Sequence, residues 1–324
     1  MENETSMEKI ENIGVIQQKK PTFYFIGVTT SKSSINHLFP LWMPLFGYPN
    51  IQLVGIDRKI HDDPASYRSD VAQIKFDPMS LGALVTTHKI DLFEAAKDMF
   101  DFIDPYAQIT NEVSSISKSN GKLEGYAKDP ITAGKSLDHI IGDGYFGRTH
   151  GWVFLLGAGG SGTATCLHLI NKEAPEDRPG KIVVVNRSQP RLDKLAAMVE
   201  NLGTDIGFDF ICNNDPSVND EIMTTLPDHS IVINATGMGK DIPGSPITTN
   251  GKFPLHGVAW EFNYRGDLEF LHQAEAQRDE RDLVVEDGWI YFIHGWSQVI
   301  GQVLGQEVTP DLFEELEEIA REIR

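Results

Sequence analysis

The 324-residue sequence has only two cysteines, Cys166 and Cys212. They lie far apart and form no C-x-x-C pair, which argues against a disulfide framework or a thiolate zinc site, and both are expected to serve as small core residues. Metal-ligand spacing is missing too. None of the ten histidines sits in an H-E-x-x-H or comparable pattern, so no metal is expected and His37 and His88 read as packing or solvent-facing residues. No apolar run reaches the length of a membrane span, and residues 1–20 are charged and polar without the apolar core of a secretory signal. A disordered N-terminal tail and a cytoplasmic setting are the expectations. Positive charge is scarce: 28 lysines and arginines stand against 47 aspartates and glutamates, a formal net charge of -19. Such a surface repels nucleic acid and anionic membrane, so neither is expected as a partner. A phosphate-bearing small molecule is still compatible with it, because backbone N–H groups and a few arginines act locally. There is no internal repeat. The remaining composition, 40% hydrophobic and 23% charged, is that of an ordinary globular protein long enough for two domains.

What is present is a glycine cluster. Trp152-Val-Phe-Leu-Leu-Gly-Ala-Gly-Gly-Ser-Gly162 is an apolar run that ends in glycines, and Thr163 to Ile170 is helix-compatible. Gly157, Gly159 and Gly162 fit G-x-G-x-x-G between a strand and a helix, the pattern that sets a dinucleotide pyrophosphate on a helix N-terminus. Ala158, Gly160 and Ser161 complete that loop. Lys181 to Asn186 reads as the second strand of a βαβ unit. Ser230 to Thr236 is a further buried strand, and since open α/β sheets bind ligands at strand carboxyl ends, Ala235, Thr236, Gly237 and Gly239 are expected near the cofactor. Gly257 to Phe262 is another strand candidate. An acidic residue after the second strand would hold a ribose hydroxyl, but here stand Asn186, Arg187 and Ser188, with Arg191 close behind. Arginine suits a 2′-phosphate, which favours NADP, with NAD as the alternative if Arg187 only stacks on adenine.

The first half alternates strand-like and helix-like segments: 22–28, 34–46, 51–56, 65–76 and 81–85. This rhythm predicts an α/β domain with a largely parallel sheet. Thr86 or Thr87 is the expected N-cap of the next helix, which puts Lys89 in its first turn. Residues 112–126 alternate around Asn120-Gly121, a strong hairpin signal. Asp129 before Pro130 reads as a helix start. The domain boundary is placed near residue 143, or within the helix before it, giving domains over 21–143 and 144–287, with helices in 288–324 packing back on the first. Ser31 and Ser33 follow a strand and precede a helix, so they can cap it or capture an anion.

Taken together these residues resemble the shikimate dehydrogenase superfamily. Ser31-Lys-Ser-Ser-Ile-Asn-His37 is similar to its S-x-S-P-x-x-H motif, with Ser34 replacing proline; Leu84 to Lys89 is similar to V-T-x-P-x-K, and Ala127-Lys-Asp-Pro130 to N-T-D-G. The resemblance implies a two-domain α/β fold, an N-terminal substrate domain followed by a nicotinamide-binding Rossmann domain. It implies that Ser31 and Ser33 hold a substrate carboxylate, that Thr86, Ser114 and His294 line the substrate site, and that Lys89 and Asp129 are the catalytic pair. Without the motif, Lys89 reads first as a solvated surface lysine, and Asp129 is explained as a plain helix cap. A helix N-terminus lowers a lysine pKa and a neighbouring carboxylate raises it, so the two effects oppose. The departures are specific. The family's asparagine before the lysine becomes Ala83, the asparagine and threonine of A-V-N-T become Ser114 and Ser115, the tyrosine of Y-N-P becomes Phe262, and the C-terminal glutamine becomes His294 or Gly295. The implied activity is NADP-dependent interconversion of a ring hydroxyl and ketone on a shikimate- or quinate-like cyclic hydroxy acid. The departures leave open a related polyol or amino-substituted ring, or a non-catalytic nucleotide sensor. A homodimer is neither required nor excluded.

Overall fold

The computed structural model describes residues 14–240 and 242–324. The tail expected over residues 1–20 lies outside the described residues as far as residue 13. Residues 14–20 form no helix or strand, but they are tied down. Ile16 N–H donates to Gln73 Oε1 at 2.8 Å, and Gln73 Nε2 donates back to Ile16 O at 2.7 Å. Among the described residues no helix is long and apolar enough to cross a membrane.

The chain divides into two compact units, residues up to Lys128 with Ile293–Arg324, and Asp129–Phe292. The first contains β1 (Thr22–Gly27), α1 (Ile35–Trp42), β2 (Gln52–Asp57), α2 (Pro64–Phe76), β3 (Ser80–Val85), α3 (Lys89–Ala96), β4 (Phe102–Ile103), α4 (Pro105–Thr110), β5 (Ser115–Ser119) and β6 (Lys122–Tyr126). Sheet order is β2-β1-β3-β5-β6-β4. β1 pairs in parallel with β2 and β3, whereas β3–β5 and β5–β6 are antiparallel because the 115–126 hairpin enters the sheet. Its turn residues Asn120 and Gly121 have φ of 52° and 77°, the left-handed pair a tight two-residue hairpin demands. Every residue of β1 is buried, as expected of a central strand covered on both faces. Tyr24 and Ile26 share a core with Val71, Ile74, Val85 and Phe93.

The second unit contains α5 (Asp129–Ile141), α6 (Tyr145–Thr149), β7 (Val153–Leu156), α7 (Gly160–Ile170), β8 (Lys181–Asn186), α8 (Gln189–Leu202), β9 (Gly207–Cys212), α9 (Pro216–Met223), β10 (Ile231–Asn234), β11 (Val258–Glu261), α10 (Glu269–Glu275), α11 (Arg278–Arg281) and β12 (Val284–Glu286). Its sheet is wholly parallel in the order β12-β11-β10-β7-β8-β9. Numbered within the unit this is 3-2-1-4-5-6, the doubly wound dinucleotide-binding order. Alternate residues feed two cores. Leu155, Val184, Ile233 and Trp260 pack with Cys166, Leu169, Leu192 and Leu195; Phe154, Leu156, Val183 and Val232 pack with Met223, Phe253 and Phe270.

Two helices follow, α12 (Trp289–Leu304) and α13 (Pro310–Ile323), and residues from Ile293 onward belong to the first unit. Phe25 meets Trp296 of α12 edge-on at 4.8 Å between ring centroids. Trp42 Nε1 donates to Leu316 O at 3.1 Å, fixing α13 to α1. The division into units falls at residue 129, where the helix before residue 143 begins. The reason is that α5 packs on α7: a Cβ on Gly134 would lie 2.1 Å from His168 Nδ1, and Asp138 pairs with Lys172 at 2.6 Å. Cys212 is exposed, so only Cys166 is the core residue expected of both.

Candidate active site

The glycine loop does what its spacing requires. Gly157 has φ of +113°, and a Cβ there would sit 2.6 Å from Ala235 O, a conformation and a clearance that only glycine tolerates. A Cβ on Gly162 would lie 2.2 Å from Gly157 O, so the third glycine lets α7 close on the loop. Gly159 is different: an added Cβ meets nothing within 4 Å. That open side faces the start of α7, whose first turn has no side-chain cap. Uncapped amides beside an unobstructed glycine fit a dinucleotide pyrophosphate.

Two more loops end at the same edge of the sheet. Asn186 Oδ1 accepts from Ala158 N at 3.3 Å and its Nδ2 donates to Ser188 O at 3.1 Å, so this side chain ties the glycine loop to the turn after β8. Arg187 and Arg191 are exposed, and no hydrogen bond or ion pair of either guanidinium is found among the described residues. After β10, Thr236 Oγ1 donates to Asn234 Oδ1 at 2.7 Å and accepts from Met238 N at 3.1 Å, while Gly237 and Gly239 carry positive φ. Residues 157–162, 186–191 and 235–239 thus surround the point where strand order reverses, between β7 and β10.

In the first unit the motif residues gather at the carboxyl edge of β1 and β3. Neither Thr86 nor Thr87 is the expected cap of α3; Thr86 instead faces β1. Its N–H and Oγ1 both turn to Ile26 O, at 3.0 and 3.4 Å, which closes β3 on β1, and His88 takes the cap position with Lys89 as the first helical residue. Lys89 O accepts from Val113 N at 3.3 Å, bringing Ser114 alongside. Ser114 is buried, and its hydroxyl accepts from Lys128 N at 2.7 Å. Ser31 is exposed, whereas Ser33 is buried with its Oγ 3.5 Å from Ile35 N at the start of α1. Asp57 at the end of β2 accepts from both Thr30 N (2.8 Å) and Thr30 Oγ1 (2.6 Å), which braces this turn. His88 is a core residue beside Tyr67, its Nδ1 3.1 Å from the phenol oxygen. His294 is 6% exposed and stacked on Phe313 at 3.8 Å with 7° between the planes, a packing position. Asp129 opens α5 in the second unit and is buried.

Two groups were missed in the sequence. Lys128, immediately before Asp129, lies over the Tyr126 ring at 5.3 Å, and burial pushes its ammonium pKa below the usual lysine value despite the nearby charge of Asp104. Glu261, the last residue of β11, is 0% exposed, and burial pushes its carboxyl up to about 7. A charged residue ending an apolar strand looks solvent-facing in a bare sequence, which is why neither periodicity nor motif picks it out.

No family model matches the chain. A shikimate dehydrogenase (NADP(+)) of Methylobacterium radiotolerans is 23% identical over 299 residues, covering 90% of this chain and 95% of that protein. Shikimate dehydrogenase from Aquifex aeolicus superposes with a TM-score of 0.70 at 19% identity, covering 93% of this chain and 99% of that one. Quinate dehydrogenase from Corynebacterium glutamicum, solved in complex with NAD, gives 0.70 at 18%, covering 93% and 99%. The class is therefore a two-unit α/β chain with a dinucleotide-binding Rossmann sheet. More narrowly, its fold is that of the solved shikimate and quinate dehydrogenases.

Proposed function

We propose that the chain is an NADP-dependent oxidoreductase that interconverts a ring hydroxyl and a ketone on a cyclic hydroxy acid of the shikimate or quinate type. The first unit serves as the substrate domain and the second as the nucleotide domain. The observation that carries this reading is the gathering of Ser31, Ser33, Thr86, Ser114 and Lys89 at one sheet edge, in a chain whose other sheet has the dinucleotide order. The named relatives, which act on shikimate and quinate, support it. Residues 157–162 and 235–239 would hold the dinucleotide, and the exposed Arg187 and Arg191 would take a 2′-phosphate through charge-assisted hydrogen bonds. When bound, the nicotinamide supplies the hydride acceptor or donor. The chain's own residues do the rest. Ser31 and Ser33 hold the carboxylate, Lys89 Nζ exchanges the proton of the reacting hydroxyl, and Asp129 orients that exchange.

A related polyol or amino-substituted ring is the second reading. It is favoured by Ala83, a methyl where the family has an amide, and by Ser114, whose hydroxyl is already engaged by Lys128 N. A site that has lost hydrogen-bond partners discriminates less against a substrate lacking the matching hydroxyl. Lys89→Ala tests the chemical role. Turnover is expected to fall by about 10² to 10⁴-fold, the usual worth of a general acid–base, with NADP affinity nearly unchanged. A variant that retains activity would remove Lys89 from the mechanism.

A further inference from the structure

Burying a carboxylate without a cation is costly, and a glutamine or methionine would fill the same space. Glu261 nevertheless stands at the carboxyl end of β11, in register with Asn234 on β10. Three amide N–H groups reach it: Asn234 Nδ2 to Oε2 at 2.5 Å, Asn263 N to Oε1 at 2.8 Å, and Asn263 Nδ2 to Oε1 at 2.6 Å. Among the described residues no lysine, arginine or histidine pairs with it. The charged group that bears on it is itself acidic, Asp287 before α12, and Glu286 on the neighbouring β12 is exposed.

The consequence lies in Asn234, whose amide has two unlike ends. A carboxylate only accepts hydrogen bonds, so it holds the NH2 end toward itself and leaves Oδ1 for Thr236. Oδ1 accepts from Thr236 N at 3.1 Å and Thr236 Oγ1 at 2.7 Å, and Thr236 Oγ1 in turn accepts from Met238 N at 3.1 Å. Asn263 Nδ2 reaches Met238 O at 3.2 Å, so both partners of Glu261 end on this one turn. A protonated carboxyl carries an O–H that needs an acceptor, and on the Oε2 side the amide within reach is that of Asn234, which can present Oδ1 only by turning. Turning the amide to supply it strips Thr236 of both bonds.

We infer that Glu261 is a positioning residue for the nucleotide: its carboxylate sets the Asn234 amide and, through Thr236, the 235–239 turn at the strand-order reversal where a dinucleotide binds. This rests on the dinucleotide reading above. Burial and the charge of Asp287 bring the change of state into the neutral range. Nucleotide affinity therefore falls as pH drops.

The test is NADPH binding to the full chain, followed by its fluorescence between about pH 5.5 and 8.5, for wild type, Glu261→Gln and Thr236→Val. Glutamine presents an N–H where the carboxylate accepts, so it mimics the protonated state at every pH. At the alkaline end Glu261→Gln is expected to bind about tenfold more weakly than wild type, the worth of one or two ordering hydrogen bonds, and at the acid end the two converge. Titration of the ligand's own phosphates is common to both proteins and cancels. Thr236→Val breaks the same relay with Glu261 in place and is expected to lose a comparable factor at alkaline pH. Parallel affinity profiles for wild type and Glu261→Gln would overturn the inference. Hydrogen–deuterium exchange over 232–240 separates it from the dinucleotide reading. Faster exchange in Glu261→Gln at alkaline pH supports the relay even if no protein binds NADPH, which would sink the nucleotide reading alone. Equal exchange overturns the relay even if all three bind.

Discussion

Glu261→Gln is expected to alter stability in the opposite sense to affinity. The carboxyl rises from an ordinary value of 4.5 to about 7 in the folded chain. Between those two pH values the folded state holds a proton that the unfolded state has released. Stability from this group is therefore fully present below about pH 4.5, is lost as pH rises toward 7, and stays lost above it. At about 1.4 kcal/mol per pH unit the difference is roughly 3 kcal/mol, which is large beside a net stability of about 5–15 kcal/mol. Glutamine does not titrate. Its own pH-independent cost cancels when the wild-type and variant curves are compared across pH. Urea unfolding of both proteins at intervals from about pH 5 to 8 is the assay, read as the free-energy difference between them. The variant is expected to gain on wild type from about pH 5 to about pH 7 and to hold level above it. A constant difference from about pH 5 to 8 would refute the account of Glu261 as a buried carboxyl without a countercharge.

Gly157→Ala forces a Cβ to within 2.6 Å of Ala235 O at a φ of +113°, so a loss of about 1–3 kcal/mol and weaker nucleotide binding are expected. Thermal melts and a binding titration check it, and an unchanged melting temperature would mean the loop relaxes. Arg187→Ala is expected to weaken NADP by about tenfold or more and NAD by much less, since one charge-assisted bond is worth about 1.5–3 kcal/mol. Equal losses for the two nucleotides would show that the 2′-phosphate is not read there.

The second unit was legible in the sequence because its constraints are local. Gly157 and Gly162 mark positions where a side chain cannot fit, and the strands beside them are continuous apolar runs. β9 and β12 escaped notice as edge strands: Gly207–Cys212 interleaves Asp209 with aromatics, and Val284–Glu286 is three residues long. The first unit was less legible because its contacts are made across the sheet. That Thr86 closes β3 on β1, rather than capping α3, depends on a carbonyl sixty residues away in the chain. The stacking of His294 on Phe313 and the partners of Glu261 are likewise fixed by packing between distant segments. Sequence motifs bring Lys89 and Asp129 to attention, but no periodicity identifies a buried glutamate at a strand end.

The central claim is the reaction. Purified chain mixed with NADP or NAD and a panel of shikimate, quinate and related polyols, followed by reduced-nicotinamide absorbance, tests it most directly. Reduction is expected with NADP and at least one cyclic hydroxy acid, and is expected to disappear in Lys89→Ala. Nucleotide binding with no turnover of any member of the panel would contradict the oxidoreductase reading and leave a nucleotide sensor in its place.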